Sequence, residues 1–309
     1  MHGCHRSAMQ LWVPITIAAA FSQNLRFMLQ KHLKATRLST TGATFARFVY
    51  SAPLVVLLML FYLRATGQVV PDVSASFWAY GLTGALAQIL ATLCVVAMFS
   101  ERNFAVGITF KKTEVVQTAI VGFVVLGEGI TGAGILAIAV GFVGVVLLSD
   151  PPAGEGGRWI LRIANRAAGL GLLSGVLFAI SATGYRGASL SLGLEDIFLR
   201  AGFTLAVVTT FQTLVMAAWL GLRDREEIMR VFRHWRIAGL VGITSMIGSF
   251  GWFTAFTLQN AAYVKALGQI ELLFSFLAGV FVFREKTSGR ELGAMVLITL
   301  SILLLILVI

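Results

Sequence analysis

Two glutamates, Glu114 and Glu271, stand 157 residues apart, each near the middle of a long apolar stretch. A charge at the centre of a bilayer helix costs about 2.5–3.5 kcal/mol on insertion scales, so its presence needs a reason. Two carboxylates at that depth can bind a cationic amine, or carry a proton if burial raises their proton affinity. A structural alternative is a salt bridge, because Lys111 lies three residues before Glu114 on the same helical face. Lys111, Lys112 and Lys265, with Arg47 and Arg200, fall about one to two turns into their own apolar stretches. They offer cationic ligands for a carboxylate or a phosphate. Otherwise they snorkel to the interface or tie helices together through backbone carbonyls. Five deep cations against two deep carboxylates favour an anionic or zwitterionic cargo over a lipophilic cation. Arg26 and Arg186, nearer the ends of their stretches, are expected to snorkel and are left out of the site.

Polar and aromatic neighbours complete the candidate pocket. Gln23, Asn24, Gln88, Gln117 and Gln269 either bind cargo or bond across helices, the latter for about 0.6–2 kcal/mol each. Trp252, Phe253, Phe256 and Tyr263 form a possible aromatic wall, although aromatic residues in such a chain more often face lipid or core. Glu128 and Glu285 end their apolar stretches and are expected to accept free N–H groups at the start of the next helix, as caps and hinge anchors.

The elements that must hold these residues are membrane helices. The 309 residues are 58% hydrophobic and 12% charged, against about 45–50% and 25% in soluble domains. The apolar residues fall in blocks near 10–29, 41–63, 76–100, 104–127, 130–149, 166–187, 195–220, 236–258, 261–283 and 289–309, each about the length that spans a bilayer. The expected fold is therefore an all-α membrane protein of ten transmembrane helices. The net charge of +10 sits mainly between blocks, where it sets topology, and argues against nucleic acid as a partner. Cys4 and Cys94 match no metal or redox spacing. No GxxxxGK[ST] or GxSxG motif and no paired His/Asp metal motif occurs, so no nucleotide, metal or cofactor is expected, and no enzyme.

At a shift of 157 residues, Trp78 aligns with Trp235, Phe99 with Phe256, Asn103 with Asn260 and Ala105 with Ala262. The register continues through Glu114 and Glu271, Gly122 and Gly279, Glu128 and Glu285, and Gly132 and Gly289. The chain thus reads as two related halves, 1–150 and 151–309, joined by the Pro- and Gly-rich 150–165. Five helices per half is odd, so the second half enters the membrane inverted, with the cargo site near the midplane. One set of loops holds Lys31, Lys34, Arg37, Arg102, Arg158, Arg162, Arg166, Arg223, Arg225, Arg230, Arg233, Arg236, Arg284, Lys286 and Arg290. The other holds Arg6, Arg64 and Arg186, which puts the first set in the cytoplasm and both termini outside. Glycines at close spacing, Gly81, Gly84, Gly141, Gly144, Gly239 and Gly242, suit tight helix packing and sliding.

The segments NFAVGITFKKTEVVQTAIVGFVVLGEGIT and NAAYVKALGQIELLFSFLAGVFVFREKTS resemble the EamA-like branch of the drug/metabolite transporter superfamily. The LGE at Leu126–Glu128 matches that family's usual ending of its fourth helix, and FRE at Phe283–Glu285 is the looser counterpart. The family's mid-helix prolines are absent beside Glu114 and Glu271. The resemblance implies a secondary transporter in a bacterial inner membrane, as a monomer or homodimer, with possible proton coupling. Together with the charge excess, it points to export of an amino acid or similar small anionic or zwitterionic metabolite by alternating access. The alternatives are an importer or exchanger of an organic anion and, from other classes, an intramembrane enzyme or a non-transporting scaffold.

Overall fold

Long runs of Leu, Val, Ala and Phe become helices in lipid because only an internally hydrogen-bonded backbone survives without water. The computed structural model describes residues 2–101, 110–148, 166–281 and 288–308. Its helices are α1 (His2–Thr36), α2 (Thr40–Thr66), α3 (Ala75–Met98), α4 (Glu114–Leu126), α5 (Gly132–Leu148), α6 (Arg166–Ser191), α7 (Ile197–Arg223), α8 (Arg225–Arg233), α9 (Trp235–Leu258), α10 (Ala261–Leu267), α11 (Ile270–Phe281) and α12 (Gly289–Val308). Six of them, α2, α3, α6, α7, α9 and α12, are long and apolar enough to cross a membrane, and α4 and α5 are shorter apolar helices. Large apolar side chains point outward: Phe61, Val124 and Leu307 are 72%, 74% and 82% exposed. Apolar surface on so many helices has lipid as its natural solvent.

The polar caps fall where the apolar runs begin. Ser39 accepts from the Gly42 amide, Ser74 from Phe77 and Asp196 from Leu199, each filling an N–H left open by the first turn. Gly67 and Gly127 close α2 and α4 in the left-handed conformation, at φ 67° and 68°, where a Cβ would be strained.

Packing alternates between the two halves of the chain. The closest helix pairs include α3 with α6, α1 with α9, α5 with α12 and α2 with α7. Small residues let these backbones approach. A Cβ at Gly84 would lie 3.2 Å from the Ser181 carbonyl, and one at Gly144 would lie 3.0 Å from that of Ala294. Gly81, Gly141 and Gly242 also face close neighbours, whereas Gly239 faces open space.

Long-range bonds sort the helix ends into two sets. At one end Lys34 donates to the Val96 and Ala97 carbonyls at 2.7 and 3.2 Å. There, too, the Ser39 amide and hydroxyl donate to Glu227 Oε1, each at 2.6 Å, and Arg166 pairs with Glu101 at 3.4 Å. At the other end Tyr62 and Gln68 donate to Asp196 Oδ2 at 2.7 and 2.9 Å, and the Thr131 amide donates to the Tyr263 hydroxyl at 3.0 Å. Burial raises the Asp196 carboxyl, but its bonds from Tyr62, the Leu199 amide and Gln68 prevail and hold it below the ordinary range.

Three local expectations change. The ninth apolar block is not one helix. It breaks at Gly268–Gln269 between α10 and α11, where Gln269, Glu271 and Leu272 each donate three residues back instead of four. The fourth block shows the same break at Lys112–Thr113, just before α4. Segment 221–235 is not a plain loop: Asp224 caps α8, and Glu227 on α8 is fully buried against Ser39, filling the space that a side chain at position 42 would need. Residues 102–109, 149–165 and 282–287 lie outside the described residues. So do the expectations placed on Asn103, Ala105, Glu285, Arg102, Arg158, Arg162, Arg284, Lys286 and the 150–165 linker, and on the side chains of Cys4 and Arg6.

Candidate functional site

The two breaks fall 156 residues apart, one residue off the 157-residue shift that aligns the glutamates, and each places its glutamate in the first turn of the helix that follows. A helix start carries partial positive charge from its unbonded N–H groups, which favours a carboxylate there. That answers part of the cost of Glu114 and Glu271. The lysines answer more of it. Glu114 is buried between Lys111 Nζ at 3.9 Å and Lys265 Nζ at 3.8 Å. Glu271 forms an ion pair with Lys112 and accepts from Gln23 Nε2 at 3.2 Å. The Lys111–Glu114 alternative read from the sequence is thus present in the fold, joined by a second lysine from the other half.

Beside this cluster lies a narrow cavity of about 20 Å³ among α1, α2, α3, α6, α9 and α10. Its cations are Arg26, Arg47 and Lys265, and no carboxylate among the described residues lines it. Arg47 donates to Thr92 Oγ1 at 2.8 Å and to Ser245 Oγ at 3.2 Å. Lys265 sits 5.0 Å above the Trp252 ring and 5.4 Å from that of Phe178, a distance at which the ring faces attract a cation. Trp252 stacks on Phe256, and Tyr185 stacks on Phe253 at 4.3 Å. Gln88 Oε1 accepts from the Tyr185 hydroxyl and from Gln212 Nε2, both at 2.9 Å.

Not every predicted residue joins this cavity. Lys112 and Gln269 line a second, smaller space of about 10 Å³ among α4, α5, α10 and α12. Gln117 donates to Thr113 Oγ1 at 2.9 Å, outside both cavities. Tyr263 faces Thr131 at the end of the molecule, and Arg200 donates to the Ser189 carbonyl at 3.1 Å near that same end.

Two arginines set aside as snorkelling do not snorkel. Arg186 Nε lies 2.6 and 2.8 Å from the Glu128 oxygens, and its Nη1 donates to the Phe256 and Gln259 carbonyls at 2.6 and 2.7 Å. Glu128 is therefore an ion-pair partner; the cap of α5 is Thr131, whose hydroxyl accepts from the Gly134 amide at 3.1 Å. Arg26 is 2% exposed and lines the cavity. The sequence reading missed Arg26, Phe178 and Tyr185 among the lining residues, and with them the small residues Ser181, Ala182, Gly248 and Ser249. The extension of α1 to Thr36 is what moves Arg26 toward mid-helix.

The geometry defines an integral, multi-pass membrane protein with a cationic, aromatic-walled cavity. Residues 10–150 match the EamA-like transporter family, as the resemblance of the fourth-helix segment implied. That family consists of membrane transporters. Solved structures share the fold: one, described only as a crystal structure of a protein, superposes on 98% of this chain and 96% of its own length, with a TM-score of 0.68 and 16% identity. No curated protein matches the chain in sequence.

Proposed function

We propose that the chain is a secondary transporter of ten transmembrane helices in two inverted halves, 1–150 and 151–309. It exports an amino acid or similar small anionic or zwitterionic metabolite across a bacterial inner membrane by alternating access. The observation that carries this is the cavity between the halves, which holds three buried cations and, among the described residues, no lining carboxylate. The helix pairing supports the inverted repeat. Exchanging the halves turns the α3–α6 pair into the α9–α1 pair, and returns α5–α12 and α2–α7 to themselves. The matched breaks before Glu114 and Glu271 support it further, because discontinuous helices often build transporter sites. In the cycle, the halves rock around the cavity, and the Lys–Glu pairs rearrange between the two access states. A proton released from Glu271 is a candidate coupling ion. Uptake or exchange of an organic anion is the second reading, favoured by the charge of the cavity.

Flux in proteoliposomes tests the proposal. Glu271→Gln is expected to abolish counterflow of any transported metabolite while the purified protein still elutes as one symmetric peak. Full flux by that variant would remove Glu271 from the cycle. Single cysteines placed in 221–235 are expected to resist external labelling of intact cells; reaction from outside would invert the topology.

A further inference from the structure

Arg26 and Arg47 are 2% and 3% exposed, and both line the cavity. A buried guanidinium without a carboxylate is costly, and such groups are ordinarily paired. Lys265 has Glu114. Among the described residues Arg47 donates to two hydroxyls and to no carboxylate. Arg26 lies 4.4 Å from the Phe27 ring, and its buried Nη1 has no hydrogen-bond partner among the described residues. Trp252, on the α9 wall, also keeps a buried Nε1 without a partner among the described residues. Of the nearby carboxylates, Glu271 is held by Lys112 and Gln23, and Glu114 faces Lys111 and Lys265 through Oε1 at 3.9 and 3.8 Å, while its buried Oε2 has no hydrogen-bond partner among the described residues and does not line the cavity. An ammonium group in the cavity would therefore meet cations and no lining carboxylate.

We propose that Arg26 and Arg47 bind the anionic head of the cargo, a carboxylate or phosphate, and that the cargo has an aromatic or apolar body and no free ammonium. A guanidinium fork matches two anion oxygens and loses little hydration on burial. Trp252 Nε1 adds a neutral donor to the same head. The rings of Trp252, Phe253, Phe256 and Phe178 enclose the body. This rests on the transport reading and, for the cargo, takes its second reading, an organic anion, in place of an amino acid.

Four probes with one ring and different heads test it: 3-phenylpropionate, phenyl phosphate, phenylalanine and phenethylamine. Binding to the purified full chain in phosphatidylcholine liposomes is followed by tryptophan fluorescence, and flux of each labelled probe is measured in parallel. At least one anion is expected to bind saturably, with phenylalanine and phenethylamine at least about tenfold weaker, as the loss of one charge-assisted bond implies. Arg26→Gln and Arg47→Gln should each weaken the anion by about tenfold. Arg26→Lys, which keeps the charge and loses the fork, should fall between, and it serves if the Gln variant does not fold. Phenylalanine binding as tightly as the anions, or unchanged affinity in the variants, would overturn the assignment. Binding lost in phosphatidylglycerol liposomes would give the site to a lipid headgroup and overturn it as well. Arginine-dependent binding without flux would sink the transport reading and leave the site standing. Flux of phenylalanine insensitive to both arginines would do the reverse.

Discussion

Arg26 and Arg186 are both arginines within apolar helices, yet the fold treats them oppositely. Arg186 is saturated: one carboxylate and two carbonyls close around it, joining the loop after α4 to the end of α9. Arg26 is buried more completely, and one of its terminal nitrogens goes unbonded among the described residues. The first arrangement holds the two halves together at one end of the molecule. The second keeps a charge unspent in the cavity, which suits a partner that comes and goes. A fully bonded buried charge is a strut, and an unbonded one beside a cavity is a docking point.

The contrast can be broken by substitution. Arg186→Gln strands Glu128 and two carbonyls, and should cost on the order of 3 kcal/mol, read as a lowered melting temperature in detergent. An unchanged melt would make the outer cluster ornamental. Arg26→Met removes a charge with no protein carboxylate to strand, so stability should stay within about 1 kcal/mol or rise. A loss as large as that of Arg186 would reveal a structural partner for Arg26. Trp252→Phe is the mildest change. It deletes an N–H that has no partner among the described residues, so the melt should move by less than about 0.5 kcal/mol while affinity for 3-phenylpropionate falls. Equal affinity would drop the indole from the anion site.

Much of the site was legible before folding. The repeat register led to Glu114 and Glu271 because charged residues in apolar runs are too costly to recur by chance. The three-residue spacing of Lys111 and Glu114 predicted a pairing that the fold contains. Other features were not legible, for identifiable reasons. Hydropathy marks where lipid touches a helix, not where the helix ends. Lys31, His32 and Lys34 ended the first apolar block, but α1 runs on through them to Thr36, so Arg26 looked peripheral and is not. The break at Lys112–Thr113 carries no Pro or Gly, and the one at Gly268–Gln269 carries a single Gly in an otherwise helical run, a signal too weak to end a helix on its own.

The sequence by itself determined a chain that lives in lipid, with two carboxylates 157 residues apart within apolar stretches, because those properties follow from composition and spacing along one dimension. Only the tertiary structure decided which cation meets which carboxylate. Lys265 reaches Glu114 across the two halves, Arg186 finds Glu128, and Arg26 is left facing a cavity. Pairing depends on distances of a few ångströms between residues far apart in the chain, and Coulomb energy in a water-poor interior changes steeply over that range.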